Sequence, residues 1–200
     1  MSMSNGQEAG RVQPANVLWT IPNVLSLMRG LAGPAVLALI TSDLSGGLAA
    51  ALILMLLAEF SDFIDGEIAR RFGQESELGR LIDPVADSVY HLSVFLAFLA
   101  MGWMAAWMLF IIYARDLVVP YLRTFARQSG HDLTVRASGK IKTAVHAAAQ
   151  IGIVAIALGL AGDAVTIDGP VPTVLLLAAI GASLYSLMDY FGEVARLVKS

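Results

Sequence analysis

The sequence predicts an all-α integral membrane protein, a bundle of six transmembrane helices with both termini on the cytoplasmic side. The first observation behind this prediction is composition, since 57% of the 200 residues are hydrophobic and only 14% are charged. A soluble domain carries about 25% charged residues, and roughly a third of the surface of a chain this size stays wet after folding. A soluble nucleic-acid binder, a disordered chain and a coiled coil are therefore disfavoured, and no nucleic acid partner is expected.

The second observation is a set of six apolar stretches. At ~1.5 Å of rise per residue, each is long enough to cross a hydrocarbon layer of ~30 Å. Such spans must be helices, because lipid offers no water to satisfy the edges of strands. The first stretch opens at Pro22, and proline is favoured in the first turn of a helix. The stretches lie at about 21–41, 46–72, 78–101, 103–127, 139–161 and 170–196.

The third observation is the uneven distribution of basic residues. None of the 13 Lys and Arg residues lies in the connections at 42–46, 102 and 162–169. Six spans place both termini and the connections at 73–78 and 128–138 on the other side. Cytoplasmic segments of membrane proteins carry an excess of Lys and Arg. The basic side is therefore predicted to face the cytoplasm.

The chain is predicted to form one membrane domain. Residues 1–20 are polar and rich in Gly and Ser, which predicts an N-terminal tail and a short interfacial segment rather than a cleaved signal peptide. Residues 21–200 then form the six-helix domain. The chain contains no cysteine, which excludes a disulfide framework, a Cys-ligated metal and a cysteine nucleophile.

Four aspartates stand out because charged side chains inside membrane spans are unfavourable and often functional. Asp62 and Asp65 are three residues apart near the end of the second stretch, and Asp83 and Asp87 are four apart at the start of the third. Each pair shares a helix face. The short connection at 73–78 makes the two helices antiparallel neighbours, so all four carboxylates can meet at one depth near the cytoplasmic side.

Four converging carboxylates need a compensating positive charge, because they would otherwise repel strongly in a low dielectric. Arg70 and Arg80 could supply this charge. Carboxylate oxygens also suit Mg²⁺ or Mn²⁺. Two such ions ~3.5–4 Å apart form the usual clamp for displacement at phosphorus. Helix capping and ion pairing could explain one such aspartate, but all four together favour a metal site.

The same residues carry a resemblance to a known family. All eight fixed positions match the signature of the CDP-alcohol phosphotransferases, which here is spelled Asp62-x2-Asp65-Gly66-x2-Ala69-Arg70-x8-Gly79-x3-Asp83-x3-Asp87. The segment 21–29 also looks like the first-helix opening of that family. The resemblance covers about residues 21–146. It implies a six-helix membrane fold and a homodimer.

A second set of residues resembles one branch of the family, the phosphatidylglycerophosphate synthases. It comprises Arg115-Asp116-x6-Arg123 and Ser138-Gly139-Lys140-Ile141-Lys142-Thr143. Three positions depart from that branch. Asp116 stands where Glu is usual, Ser88 where Lys is usual, and His146 where Gln is usual. The departures leave the general reaction intact but keep the acceptor alcohol open.

The resemblance implies a reaction and a role for each matching residue. A phosphatidyl group would pass from CDP-diacylglycerol to glycerol 3-phosphate with release of CMP, at the cytoplasmic face of a bacterial inner membrane. Two divalent ions, Mg²⁺ or Mn²⁺, would be held by Asp62, Asp65, Asp83 and Asp87, and Asp87 would also be the general base. The donor nucleotide would be bound by Gly66, Ala69, Arg70, Gly79, Asn23 and Ser26. The acceptor phosphate would be bound by Arg115, Arg123, Lys140 and Lys142.

Other functions remain open from the sequence. The acceptor could instead be inositol phosphate, serine or an intact phosphatidylglycerol, although the basic residues favour a phosphorylated acceptor over serine. An intramembrane prenyltransferase would want more helices and two separate aspartate motifs. A carboxylate-lined cation transporter needs acids near the midplane of the membrane, whereas these acids lie near one face. His91 and His146 fall within spans and are interpreted as packed polar residues.

Overall fold

The structure, a computed structural model, describes residues 21–72, 79–128, 137–159 and 167–197, and it describes side chains in these ranges except at 21–22, 62–72 and 79–81. These parts of the chain form six α-helices and no strand. The helices are α1 (Ile21–Thr41), α2 (Gly47–Phe72), α3 (Gly79–Ala100), α4 (Ala106–Gln128), α5 (Ala137–Ala157) and α6 (Pro170–Leu197). The predicted tail at 1–20 lies outside the described residues.

The turn between α3 and α4 is longer than the single residue that the hydropathy pattern indicates. Gly102 has a φ of 74°, a left-handed conformation that glycine adopts readily. The Trp103 amide donates to the Phe98 carbonyl at 2.8 Å, and the Gly102 amide donates to the Leu99 carbonyl at 3.1 Å. These two hydrogen bonds form a Schellman motif, which ends a helix at a glycine in the left-handed conformation. It explains why α4 begins at Ala106 and not near residue 103.

Helix α1 packs tightly against α3. A Cβ atom added at Gly33 would lie 2.7 Å from the Cα of Tyr90, and one at Gly30 would lie 3.3 Å from the Cβ of Ala86. Small residues at such interfaces let two helix backbones approach closely in a membrane. α1 also packs against α2, while α4 and α5 both pack against α6. The bundle is therefore built from two groups of helices, which meet through contacts of α2 and α3 with α5 and of α3 with α4.

The surface of the bundle is strongly apolar. Large apolar side chains such as Leu31, Phe110 and Met188 are about seven-tenths exposed, at 72%, 69% and 72%. Four helical segments are long and apolar enough to cross a membrane, namely Asn23–Thr41, Ile82–Ala100, Ala137–Ala157 and Pro170–Leu197. In α2 the apolar segment with described side chains, Gly47–Ser61, is shorter. The prediction of an all-α membrane bundle of six helices is confirmed, and the side on which the termini lie stays a prediction.

Candidate active site

Two of the four predicted acids, Asp83 and Asp87, lie one turn apart on α3. The hydroxyl of Ser26 donates to Asp83 Oδ1 at 3.1 Å, and Nη2 of Arg29 donates to the same oxygen at 2.6 Å. Ser26 and Arg29 are themselves buried in α1. The carboxylate nevertheless keeps access to the surroundings, because the side chain of Asp83 is 57% exposed. The α1–α3 interface therefore fixes Asp83 while leaving it open to a ligand.

Asp87 is the second acid on this face, and it contacts a histidine. Its Oδ1 lies 3.3 Å from Nε2 of His91, one turn further along α3. His91 is buried, and its Nδ1 lies 2.8 Å from Oε1 of Gln150 on α5. The sequence pattern indicated only a packed polar residue at position 91. The i, i+4 spacing of Asp87 and His91 was the available signal for their contact.

The other half of the predicted acidic cluster lies outside the described side chains. Asp62 and Asp65 fall within α2, but their side chains lie outside the described residues, as does that of Arg80 on α3. The same holds for the predicted donor-binding residues Gly66, Ala69, Arg70 and Gly79. Within the described side chains, no three His, Asp or Glu residues come together as metal ligands. The convergence of the four carboxylates therefore stays a prediction.

The chemistry of this donor set nevertheless fits the expected ions. All four predicted ligands are carboxylates, and Mg²⁺ and Mn²⁺ prefer oxygen ligands. Both hydrogen bonds described at Asp83 end on Oδ1, and the side chain of Asp87 is 24% exposed. Two of the four carboxylates are thus accessible on one face of a helix, as the predicted site requires.

A second polar site joins α4, α5 and α6. Asp116 lies between two cations, with its Oδ1 at 2.9 Å from Nη1 of Arg115 and at 3.1 Å from Nζ of Lys142. Arg115 also donates through Nη2 to the hydroxyl of Ser186 on α6 at 2.8 Å. Asp116 and Lys142 are buried, whereas the side chain of Arg115 keeps 12% of its surface exposed. We refer to Arg115, Asp116 and Lys142 as the basic cluster, because two cations and one anion leave one net positive charge.

The basic cluster lies within electrostatic range of one acid of α3, Asp87. Lys142 interacts electrostatically with both Asp87 and His91. The other two residues predicted to bind the acceptor phosphate are not part of the basic cluster. Arg123 is partly exposed, Lys140 is exposed, and no described contact joins either of them to Asp116. Of the four predicted acceptor-binding residues, the structure therefore brings Arg115 and Lys142 together.

Helix α6 contributes polar side chains that the sequence pattern did not predict. Ser183 Oγ lies 2.9 Å from Nε2 of His146, and the hydroxyl of Ser138 donates to Asp189 Oδ2 at 2.6 Å. Ser183 and Ser186 are buried, and they share one helix face with the equally buried Tyr190. That spacing within an apolar helix was the signal that could have revealed this face. The polar interior thus extends to α6.

The fold and these buried charges define a class of protein, a helical integral membrane protein with a polar site between its helices. Comparison with known families is more specific, since the model of the CDP-alcohol phosphatidyltransferase family matches residues 19–182. The chain belongs to this family. The resemblance seen in the aspartate motif is therefore confirmed.

Relatives within the family differ in the reaction for which they are named. The chain is 37% identical over 124 residues to a cardiolipin synthase (CMP-forming) of Streptomyces coelicolor, covering 60% of this chain and 57% of that protein. It is 33% identical over 102 residues to a CDP-diacylglycerol–glycerol-3-phosphate 3-phosphatidyltransferase of Treponema pallidum, covering 51% and 47%. It is 30% identical over 201 residues to a probable phosphatidylglycerophosphate synthase of Mycobacterium tuberculosis, covering 96% and 87%. The match thus spans about half the length of the first two relatives.

Proposed function

We propose that the protein transfers a phosphatidyl group from CDP-diacylglycerol to glycerol 3-phosphate and releases CMP. In this reaction the acceptor hydroxyl oxygen forms a bond to the phosphorus that carries diacylglycerol, and the bond from that phosphorus to CMP breaks. The observation that carries the choice of acceptor is the basic cluster. Its net positive charge, within electrostatic range of Asp87, suits an acceptor that brings a phosphate group of its own.

The residues on α3 fit the chemistry of the transfer. Asp87 is the general base and takes the proton of the acceptor hydroxyl, a role that usually contributes about 10²–10⁴-fold to rate. Asp62, Asp65, Asp83 and Asp87 would hold two divalent ions. When bound, such ions neutralise the charge that develops on the departing CMP.

The donor and the acceptor occupy different sides of these acids in this proposal. Ser26 and Asn23 of α1, both buried, join Gly66, Ala69, Arg70 and Gly79 in binding the CDP moiety. Arg115 and Lys142 bind the acceptor phosphate, with Arg123 and Lys140 as outer contacts. A guanidinium such as that of Arg115 matches the oxygens of a phosphate in a bidentate manner.

The proposal includes the setting of the reaction. The apolar surface of the bundle lets the diacylglycerol chains stay in lipid while the headgroup reacts at the interface. We place the protein in a bacterial inner membrane, with the active site facing the cytoplasm and the chain acting as a homodimer. The bacterial origin of the relatives supports the first of these points.

A second candidate acceptor is an intact phosphatidylglycerol. The name of the Streptomyces relative, a CMP-forming cardiolipin synthase, favours it. Phosphatidylglycerol carries a singly charged phosphodiester, whereas glycerol 3-phosphate carries a phosphate with up to two charges. The two acceptors therefore place different demands on the buried positive charge. Inositol phosphate is a third candidate acceptor, to be compared with the other two in the same assay.

The test is an assay of CMP release with one acceptor at a time. Purified protein receives CDP-diacylglycerol, Mg²⁺ and either glycerol 3-phosphate, phosphatidylglycerol or inositol phosphate. We expect CMP with glycerol 3-phosphate, its loss on chelation with EDTA and its return on addition of Mg²⁺ or Mn²⁺. An Asp87→Asn variant is expected to lose about 100-fold or more in kcat. Release of CMP with another acceptor but none with glycerol 3-phosphate would contradict the proposed acceptor.

A further inference from the structure

A buried polar side chain on α5 determines how His91 is oriented. Gln150 donates through Nε2 to the backbone carbonyl of His91 at 2.8 Å, and its Oε1 lies 2.8 Å from Nδ1 of the same residue. A carbonyl oxygen only accepts hydrogen bonds, so the amide nitrogen of Gln150 must face it. The amide oxygen then faces the imidazole ring. Gln150 is fully buried, so water does not compete for these contacts.

The orientation of Gln150 decides which ring nitrogen faces Asp87. Because Oε1 of Gln150 only accepts, Nδ1 of His91 carries a hydrogen and donates it. The ring is thereby fixed with Nε2 directed at Asp87 Oδ1, 3.3 Å away. A general base must be ionised, so the hydrogen between these two atoms lies on Nε2, which donates it to Asp87 Oδ1.

We infer that His91, held by Gln150, is a positioning residue that fixes the carboxylate of Asp87 for proton transfer. The inference rests on the proposed function, in which Asp87 is the general base. His91 and Gln150 form a buried polar pair between two membrane helices. Such a pair is unfavourable unless its hydrogen bonds are made, whereas two apolar side chains would fill the same space without that penalty. The described polar contacts of His91 and Gln150 connect α5 to Asp87. Partners of this kind, which orient a reactive group without touching substrate, commonly contribute about 10–100-fold to activity.

His146 provides a matched comparison within the same core. It is as buried as His91, and the two rings lie 6.0 Å apart, edge to face. Its Nε2, however, contacts the Ala179 carbonyl at 3.2 Å and the Ser183 hydroxyl at 2.9 Å, both on α6. A change at His146 therefore removes buried hydrogen bonds of similar number, none of which is made to Asp87.

The experiment compares kcat and KM for CMP release in four variants. His91→Phe keeps a ring but removes both nitrogens, and we expect kcat to fall by about 10–100-fold, with both KM values within about twofold of the wild-type values. Gln150→Leu should lower kcat as well. The double variant should lose no more than His91→Phe alone, because Gln150 acts through His91. His91→Gln, which restores a polar group near Asp87, should recover part of the loss.

The control is His146→Phe, for which kcat per folded protein should match the wild type even if the melting temperature falls. Binding of CMP to each variant checks that the donor site is intact. If His91→Phe does not fold, Gln150→Leu and His91→Gln test the positioning role instead. In each of them kcat should fall while the KM values stay close to those of the wild type. An active wild type together with unchanged kcat in these variants would overturn the positioning role alone. A wild type that releases no CMP with any acceptor would overturn the proposed function, and the inference with it.

Discussion

At the scale of single residues, the basic cluster illustrates why buried charges in this bundle come as linked sets. Asp116 alone would be a buried anion, and Arg115 beside Lys142 would be two buried cations at close range. The desolvation of each charge is tolerable only because the others compensate it. Removing the anion and removing a cation should therefore have different consequences.

Replacing the anion should mainly destabilise the fold. Asp116→Asn leaves Arg115 and Lys142 buried together without their shared partner, and we expect a loss of about 3–5 kcal/mol in the free energy of unfolding. Thermal melting in detergent, followed by circular dichroism, measures this loss. Arg196→Gln is the control, because that pair with Glu193 is at the surface, with Arg196 80% exposed. Such a surface pair contributes no more than about 1 kcal/mol, and equal losses in the two variants would contradict the account.

Replacing a cation should mainly affect the acceptor. Lys142→Gln leaves Asp116 paired with Arg115 and reduces the net charge of the basic cluster from one to zero. A hydrogen bond to a charged group contributes about 1.5–3 kcal/mol, so the KM for glycerol 3-phosphate should rise about tenfold or more, since about 1.4 kcal/mol corresponds to tenfold. The KM for CDP-diacylglycerol should stay within about twofold. Steady-state kinetics of CMP release measures both constants, and a rise confined to the donor would remove Lys142 from the acceptor site.

The residue scale also marks the limit of what the sequence could predict about the site. Asp83, Asp87, Arg115 and Lys142 were identified from motif spacing. The partners that orient them were not, because Gln150 is 59 positions from His91 and Ser186 is 71 positions from Arg115. Contacts over such distances depend on which helices pack together. A single sequence carries no direct record of that packing.

At the scale of helices, hydropathy predicted the number and placement of the elements well. The bilayer sets both the length and the apolar content that a spanning helix must have, so spanning helices can be identified from the sequence. Of the helix pairs, the sequence predicted only α2 beside α3, and within the described residues each of these two packs against α1 while no close backbone contact joins them. The close packing of α1 against α3 was not predicted, since it depends on small residues meeting across two helices that are not consecutive. Gly33 against Tyr90 is its tightest described point, with 2.7 Å between a hypothetical Cβ and the Cα of Tyr90.

A methyl group at this point should separate the two helices. We expect Gly33→Ala to reduce the free energy of unfolding by about 1–3 kcal/mol, as overpacking typically does. Activity should fall as well, since the same interface holds Ser26 and Arg29 against Asp83. Gly181→Ala is the matched control, because nothing lies within 4 Å of a Cβ added there. Melting curves and CMP release of both variants test this, and a Gly33→Ala protein as stable as Gly181→Ala would show that the interface tolerates the methyl group.

At the scale of the whole molecule, the distribution of charge predicts the orientation in the membrane. The connections at 42–46 and 162–169 contain neither Lys nor Arg. The opposite side collects most of the basic residues, among them Arg127 at the end of α4. The proposed function requires the acids of α3 to face that side. Orientation and function therefore depend on each other in the proposed account.

The absence of cysteine makes the orientation directly measurable. Single cysteines at Ser45 and Asp168, both exposed in connections of the non-basic side, should react in intact cells with a thiol reagent that cannot cross the membrane. A cysteine at Gln128, exposed at the end of α4, should react only after the membrane is opened. The unmodified chain gives the background, since it has no thiol to label. The reverse pattern would place the basic side outside, and it would contradict the proposed cytoplasmic orientation of the active site.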